Sequence, residues 1–201
     1  MIETEIKNTP LVFETEPTVF SPNAVDIGTL SMLSLIDFSE NDKVLDLGCG
    51  YGVVGILAGK KIGGQNVVMC DISEIAVSLA KRNAELNGIS NIDTRISNGL
   101  DNIIENDFTL ILSNPPYHTD FSVAKHFIEI GFKKLKIGGR MAMVTKRLEW
   151  YKNKLSSVFG GVKVQELNGY YVFIAEKRCA YIKKKEKGNK LSKKLQRKKR
   201  K

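Results

Sequence analysis

Several features that would assign this 201-residue chain to a membrane or to the secreted proteins are absent. No apolar run approaches the roughly 18 residues of a membrane span. The opening residues, MIETEIKNTP, carry acids where a secretory leader has bases and then an apolar stretch. Both absences predict a cytoplasmic protein. Cysteine is scarce and odd in number: Cys49, Cys70 and Cys179 lack the paired spacing of a zinc site or a disulfide framework. The first two sit in apolar segments and are expected to be buried, reduced thiols. No internal repeat and no second domain are visible, and 42% hydrophobic residues at this length suit one domain with a sizeable core.

A net positive charge is missing from most of the chain and concentrated at one end. Twelve of the 31 basic residues, and one of the 22 acidic ones, fall between Lys183 and Lys201, which leaves 19 bases against 21 acids in residues 1–182. The formal net charge of +9 therefore belongs to the tail. A segment so charged, with little apolar beyond Leu191 and Leu195, is expected to be disordered in isolation. It reads as an electrostatic arm for a polyanion, most simply RNA, with a solubilising tail as the alternative. The expected organisation is one globular unit over residues 1–182, including an N-terminal extension at 1–42, followed by the basic tail.

Between residues 43 and 145, strand-like and helix-like segments alternate, the pattern of parallel βαβ units. Strands are expected at 43–48, 66–71, 92–97, 107–114 and after Gly138-Gly139. Helices are expected from about Val53 to Lys61, across ISEIAVSLAKRNAELNG with Ile75, Leu79 and Leu86 near one face, and from about Phe121 to Leu135. Asn168-Gly169 separates VKVQEL from YYVFIAEK and predicts an antiparallel hairpin closing the sheet. A helix entered at Ser21-Pro22 is expected before the first strand.

Two motifs carry chemistry. In VLDLGCGYGVVG, Gly48, Gly50, Gly52 and Gly55 lie where a strand hands over to a helix. The last three satisfy G-x-G-x-x-G with Asp71 at the end of the next strand, so a nicotinamide-binding fold competes. Asp46 argues against it: a carboxylate at the end of the first strand would repel a pyrophosphate but attract an amino or sulfonium cation. S-adenosylmethionine carries both cations and no phosphate, and Asp71 can accept from its ribose hydroxyls. The second motif is Asn114-Pro115-Pro116-Tyr117 at the end of an apolar run. Two prolines stiffen the segment and leave carbonyls with few local donors. An amide oxygen beside them suits a planar NH₂ group, and Tyr117 offers a stacking face.

The order Asp46-Leu-Gly-Cys-Gly-Tyr-Gly52, Asp71, Asn114-Pro-Pro-Tyr117 resembles class I S-adenosylmethionine-dependent methyltransferases acting on a planar nitrogen. VFSPNAVDIGTLSML (19–33) and SNPPYH (113–118) narrow the likeness to the ribosomal RNA guanine-N2 methyltransferases of the small-subunit methyltransferase C family, in single-domain form, over about Phe13 to Lys177. That resemblance implies an α/β, Rossmann-like fold: a seven-stranded, mostly parallel sheet with a C-terminal antiparallel hairpin and helices on both faces. It implies S-adenosyl-L-methionine as cofactor, ribosomal RNA or the small ribosomal subunit as partner, and neither metal nor membrane. Catalysis falls to Asn114, Pro115, Pro116 and Tyr117. Cofactor binding falls to Asp46, Gly48, Cys49, Gly50, Gly52, Asp71, Ile72, Asn98 and Asn114. Asp26 and Thr29 are expected near the cofactor, and His118 near the base or as a polar loop residue. Adenine-N6 enzymes, glutamine-N5 enzymes and a non-catalytic RNA-binding relative share parts of the pattern and remain alternatives. Removing residues 183–201 should raise the apparent dissociation constant for RNA and flatten its dependence on salt concentration; an unchanged salt slope would retire the arm.

Overall fold

A computed structural model describes residues 1–116 and 121–180 and opens on a two-stranded antiparallel ribbon, β1 (Ile2–Glu5) and β2 (Pro10–Phe13), that the sequence pattern did not announce. Its turn uses Lys7 and Asn8 at positive φ. Helix α1 spans Ile27–Ser34 rather than starting at Ser21-Pro22. Asp26 is the reason: it has extended backbone and its side chain accepts from the Thr29 N–H at 2.8 Å, the bond of an N-cap that the serine upstream does not form. Ser21 instead sits at positive φ with its hydroxyl bonded to the Ala24 carbonyl.

The main unit runs β3 (Val44–Leu47), α2 (Val53–Ile62), β4 (Val67–Asp71), α3 (Glu74–Leu86), β5 (Asp93–Ile96), β6 (Phe108–Ser113), α4 (Ser122–Lys134), β7 (Leu135–Thr145), α5 (Leu148–Phe159), β8 (Lys163–Leu167) and β9 (Tyr170–Glu176). Seven strands form one sheet in the order β5-β4-β3-β6-β7-β9-β8, with the first five parallel and β9 antiparallel to both its neighbours, β7 and β8, so the sheet is mostly parallel and closed by an antiparallel hairpin, as expected. Asn168 and Gly169 both adopt positive φ, the requirement of the tight hairpin turn they predicted. Strand β7 starts at Leu135, earlier than expected, because Leu135 still pairs with Phe108 before the register shifts past Gly138-Gly139.

Helix α5 was not foreseen, although Tyr151, Leu155 and Phe159 form its buried stripe. In α3 the buried stripe is Ala76, Val77, Leu79, Ala80, Asn83 and Ala84, while Ile75 and Leu86 are exposed, which corrects the face assigned from hydrophobicity. Alternation along β3 sets the layers. Val44 joins Met32, Ile56, Leu57 and Leu79 on the α1–α2–α3 side. Leu45 and Leu47 join Phe127, Ile128, Tyr151 and Leu155 on the α4–α5 side.

Two asparagines on α3 attach the N-terminal ribbon. Asn83, fully buried, accepts from the Glu14 N–H at 2.7 Å and donates to the Glu14 and Tyr51 carbonyls, each at 2.9 Å. One turn later Asn87 accepts from the Val12 N–H at 3.1 Å and donates to the Val12 carbonyl at 2.7 Å. Side-chain amides thus take the place of a neighbouring strand, which satisfies backbone groups that would otherwise be buried unpaired. Asn83→Ala should lower stability by about 2–3 kcal/mol, seen as a fall in the urea midpoint; a change below about 0.5 kcal/mol would mean that solvent replaces these bonds.

Candidate active site

Because β3, β4 and β6 are parallel and in register, their carboxyl ends deliver Asp46, Asp71 and Asn114 to one edge of the sheet. There they line a cavity of about 320 Å³, closed on one side by the α1 N-terminus. Gly48, Cys49, Gly50, Ile72, Asn98, Pro115 and Pro116 line it too, so the structure brings together most of the residues singled out above. Gly52 is not part of that wall: it is the N-cap of α2 at φ 99°, and a Cβ there would lie 2.9 Å from Ile56. Tyr117, His118 and residues 183–201 lie outside the described residues.

The glycine turn is held by carboxylates. Asp46 shares the face of β3 that meets α2, and its Oδ2 accepts the Gly55 N–H at 2.8 Å, one of the free donors of that helix's first turn. Gly55 permits this approach, since a Cβ there would sit 2.4 Å from the Met69 side chain. Burial pushes the Asp46 carboxyl up to about 7; the Gly55 N–H offsets part of that, and the charge of Asp71 adds to it. Asp71 bonds the Gly50 N–H through Oδ2 and the Ser73 N–H through Oδ1, both at 2.9 Å. Each of its oxygens retains a lone pair for a ligand hydroxyl. The thiols of Cys49 and Cys70 are buried and free, and burial raises both, Cys70 to about 12.

Asn114 sits at the end of β6, anchored by the Ser113 hydroxyl on the Leu47 carbonyl at 2.7 Å. Its Nδ2 donates to Asp26 Oδ2 at 2.9 Å and to Thr29 Oγ1 at 3.0 Å. A carboxylate only accepts, which fixes which end of the amide faces it. The other end, Oδ1, is buried with no hydrogen-bond partner among the described residues. An orphan acceptor of that kind costs roughly 1–3 kcal/mol and marks the place where a ligand N–H belongs. Asp26 and Thr29 do line the cavity, but their bonds go to Asn114. Sequence reading missed Tyr170, whose hydroxyl lies 3.4 Å from Asp26 Oδ1; only the fold brings residue 170 beside residue 26.

The donor set tests which cofactor fits. The cavity wall holds three carboxylates and, among the described residues, no lysine, arginine or histidine; Asp26 is engaged by Asn114 and the α1 cap, so Asp46 and Asp71 are the two that meet a ligand. A dinucleotide pyrophosphate finds no counter-charge here, whereas an ammonium or sulfonium group does. Ile72, 67% exposed, offers an apolar face beside Asp71 for a flat ring. These residues fit S-adenosylmethionine.

Comparison with known proteins agrees. The methyltransferase small domain family profile matches residues 10–174. Ribosomal RNA large subunit methyltransferase G of Yersinia enterocolitica is 28% identical over 186 residues, 89% of this chain and 47% of the relative. Ribosomal RNA small subunit methyltransferase C of Pseudoalteromonas atlantica is 34% identical over 151 residues, 73% of this chain and 43% of the relative. The chain thus spans about half the length of these curated relatives. The solved structure of the T. thermophilus 16S rRNA N2 methyltransferase RsmC, in complex with AdoMet and guanosine, superposes with a TM-score of 0.80 at 26% identity, covering 88% of this chain and 50% of that one.

The raised Asp46 carboxyl makes a prediction for the ligand-free protein. A carboxyl that binds its proton more tightly when folded than when unfolded contributes stability at low pH that is lost as pH rises through about 7. Asp46→Asn should therefore be more stable than wild type near pH 8, on the order of 2 kcal/mol, with the difference shrinking as pH falls towards about 5. Chemical denaturation across that range checks it, and a pH-independent difference would contradict it.

The parallel sheet, the acid-lined cavity at its carboxyl edge and the profile match over residues 10–174 lead to one conclusion: the chain belongs to the methyltransferase small domain family.

Proposed function

We propose that the protein methylates the exocyclic N2 amino group of a guanine in ribosomal RNA, in the small subunit, working in the cytoplasm. The observation that carries this reading is the orphan Oδ1 of Asn114, held rigidly in a residue of the cavity wall. The choice of subunit is supported by the names of the 34% identical relative and of the superposed structure.

An exocyclic amino group is a poor nucleophile because its lone pair is delocalised into the ring. Asn114 Oδ1 and the Pro115 carbonyl each accept one of its N–H groups, which draws the nitrogen towards tetrahedral geometry and frees the lone pair. S-adenosylmethionine, when bound, supplies an electrophilic methyl carbon on a sulfonium. The two acceptors also stabilise positive charge as it develops on the amine, and they are already oriented before reaction. That charge makes the nitrogen acidic, so its proton passes to water without a strong base. Tyr117 provides the stacking face for a base taken out of its helix. Asp46 and Asp71, with the backbone of Gly48 and Gly50, hold the cofactor in this reading, and Ile72 and Asn98 face its adenine.

Nucleic acid is favoured over a protein glutamine as acceptor by charge at the same edge. Lys146 and Arg147 follow β7, whose Met143 is in register with Ser113. Neither forms an ion pair with a carboxylate among the described residues; Lys146 lies 4.9 Å over the Tyr170 ring and Arg147 lies 5.0 Å over that of Phe121. Among the described residues, therefore, no carboxylate claims either charge, which leaves both open to phosphates.

Incubation of ribosomal particles from a gene-deletion strain with the tritiated cofactor, followed by nucleoside analysis, should yield N2-methylguanosine in small-subunit RNA. Label in N6-methyladenosine, in large-subunit RNA or in protein would overturn the corresponding part of the reading. Asn114→Ala should reduce kcat at least ~100-fold, with cofactor affinity changed less than about threefold by calorimetry. Wild-type turnover in that variant would remove Asn114 from the mechanism.

A further inference from the structure

Asn114 does not orient itself. An amide has nearly the same shape whichever way it is turned, and a half-turn would put two N–H donors where the acceptor amine must present its own. Donor would face donor, and no transfer geometry would form. The choice rests on what holds Nδ2. Thr29 Oγ1, at 3.0 Å, is a hydroxyl and tolerates either end of the amide. Asp26 Oδ2, at 2.9 Å, tolerates only the N–H end.

Asp26 is in turn held by two further hydrogen bonds. Its Oδ2 also accepts the Thr29 N–H at 2.8 Å, capping α1. Its Oδ1 faces the Tyr170 hydroxyl at 3.4 Å, at the start of β9. Gly28 lets these groups meet, because a Cβ there would lie 2.7 Å from the Tyr170 ring and 2.9 Å from Asp26 Oδ2. The hairpin carrying Tyr170 is tied to the same helix by Asn168 Nδ2 on Ser31 Oγ at 3.0 Å. Segments separated by up to 144 residues therefore converge on one carboxylate. A helix cap alone needs none of this, since serine would serve.

We infer that Asp26 is a positioning residue for methyl transfer: its clamped carboxylate fixes the Asn114 amide with the oxygen presented to the acceptor NH₂, and it does not hold the cofactor. The negative charge against the amide N–H also polarises the group and makes Oδ1 a stronger acceptor. This inference rests on the role proposed above for Asn114.

Three substitutions separate positioning from capping. Asp26→Ala removes both. Asp26→Ser keeps the cap of α1 but is too short to reach Asn114. Asp26→Asn keeps an oxygen that can accept from both N–H groups; it loses the charge and turns an NH₂ towards the Tyr170 hydroxyl, whose oxygen can accept it. Transfer of tritiated methyl to ribosomal particles from the deletion strain, cofactor affinity by calorimetry and the thermal midpoint are measured for each. Asp26→Ser should fold with a midpoint near wild type and bind cofactor within about twofold, yet lose ~10- to ~100-fold in kcat. Asp26→Asn should recover most of that loss. The side-chain ¹H–¹⁵N signals of Asn114, assigned by their absence in Asn114→Ala, give a reading independent of activity: displaced in wild type, they should move to ordinary amide positions in Asp26→Ser. Wild-type kcat in Asp26→Ser, unmoved Asn114 signals, or a kcat loss matched by equal loss of cofactor affinity would overturn the inference. If Asn114→Ala is inactive while Asp26→Ser is fully active, only the role of Asp26 falls; if Asn114→Ala is fully active, the reading of Asn114 falls first.

Discussion

Parallel pairing of β3 with β4 and β6 is the constraint from which the site follows. In a parallel sheet every strand ends on the same edge, so residues at strand ends become neighbours however far apart they lie in sequence. Asp71 ends its strand, Asn114 stands just past the end of one and Asp46 one residue before the end of another, and pairing of Asp46 with Met69 and Leu112 sets their depth. An antiparallel neighbour would put the opposite end of its strand at this edge. The one antiparallel addition, the hairpin of β8 and β9, joins beyond β7 and sends its turn back towards α1.

Electrostatics at this edge reverse the usual arrangement of a glycine-rich turn. Turns of this shape often cradle phosphates with backbone N–H groups. Here the carboxylates of Asp46 and Asp71 already occupy the N–H groups of Gly55 and Gly50, so the turn meets a ligand with negative charge. Burying Asp46 at 3% exposure in a largely apolar layer costs free energy, visible in its raised proton affinity, and a cationic ligand offsets that cost. The same charge that burdens the empty protein favours binding.

The parallel core of the fold was legible because its strands are short apolar runs bounded by glycine and its helices carry clear stops. Asp46, Asp71 and Asn114 were legible because each ends such a run. What escaped reading depends on contacts without a local signature. The ribbon of β1 and β2 is fixed by Asn83 and Asn87, two side chains remote from it, and its own strands are only four residues long. Helix α1 was entered too early because proline is a weaker marker than a carboxylate that reaches its own third amide. The face of α3 was misjudged because small residues and an asparagine, rather than the largest apolar ones, meet the sheet and the ribbon. Tyr170 could not be found from sequence at all, since its partner lies at the other end of the chain.

The amide of Asn83 joins two things that have no direct need of each other, the Glu14 backbone and the Tyr51 carbonyl of the glycine turn. Loss of that one amide therefore strips a partner from the turn beside the cavity as well as from the ribbon, so the mooring of the amino terminus and the shape of the turn depend on a single side chain.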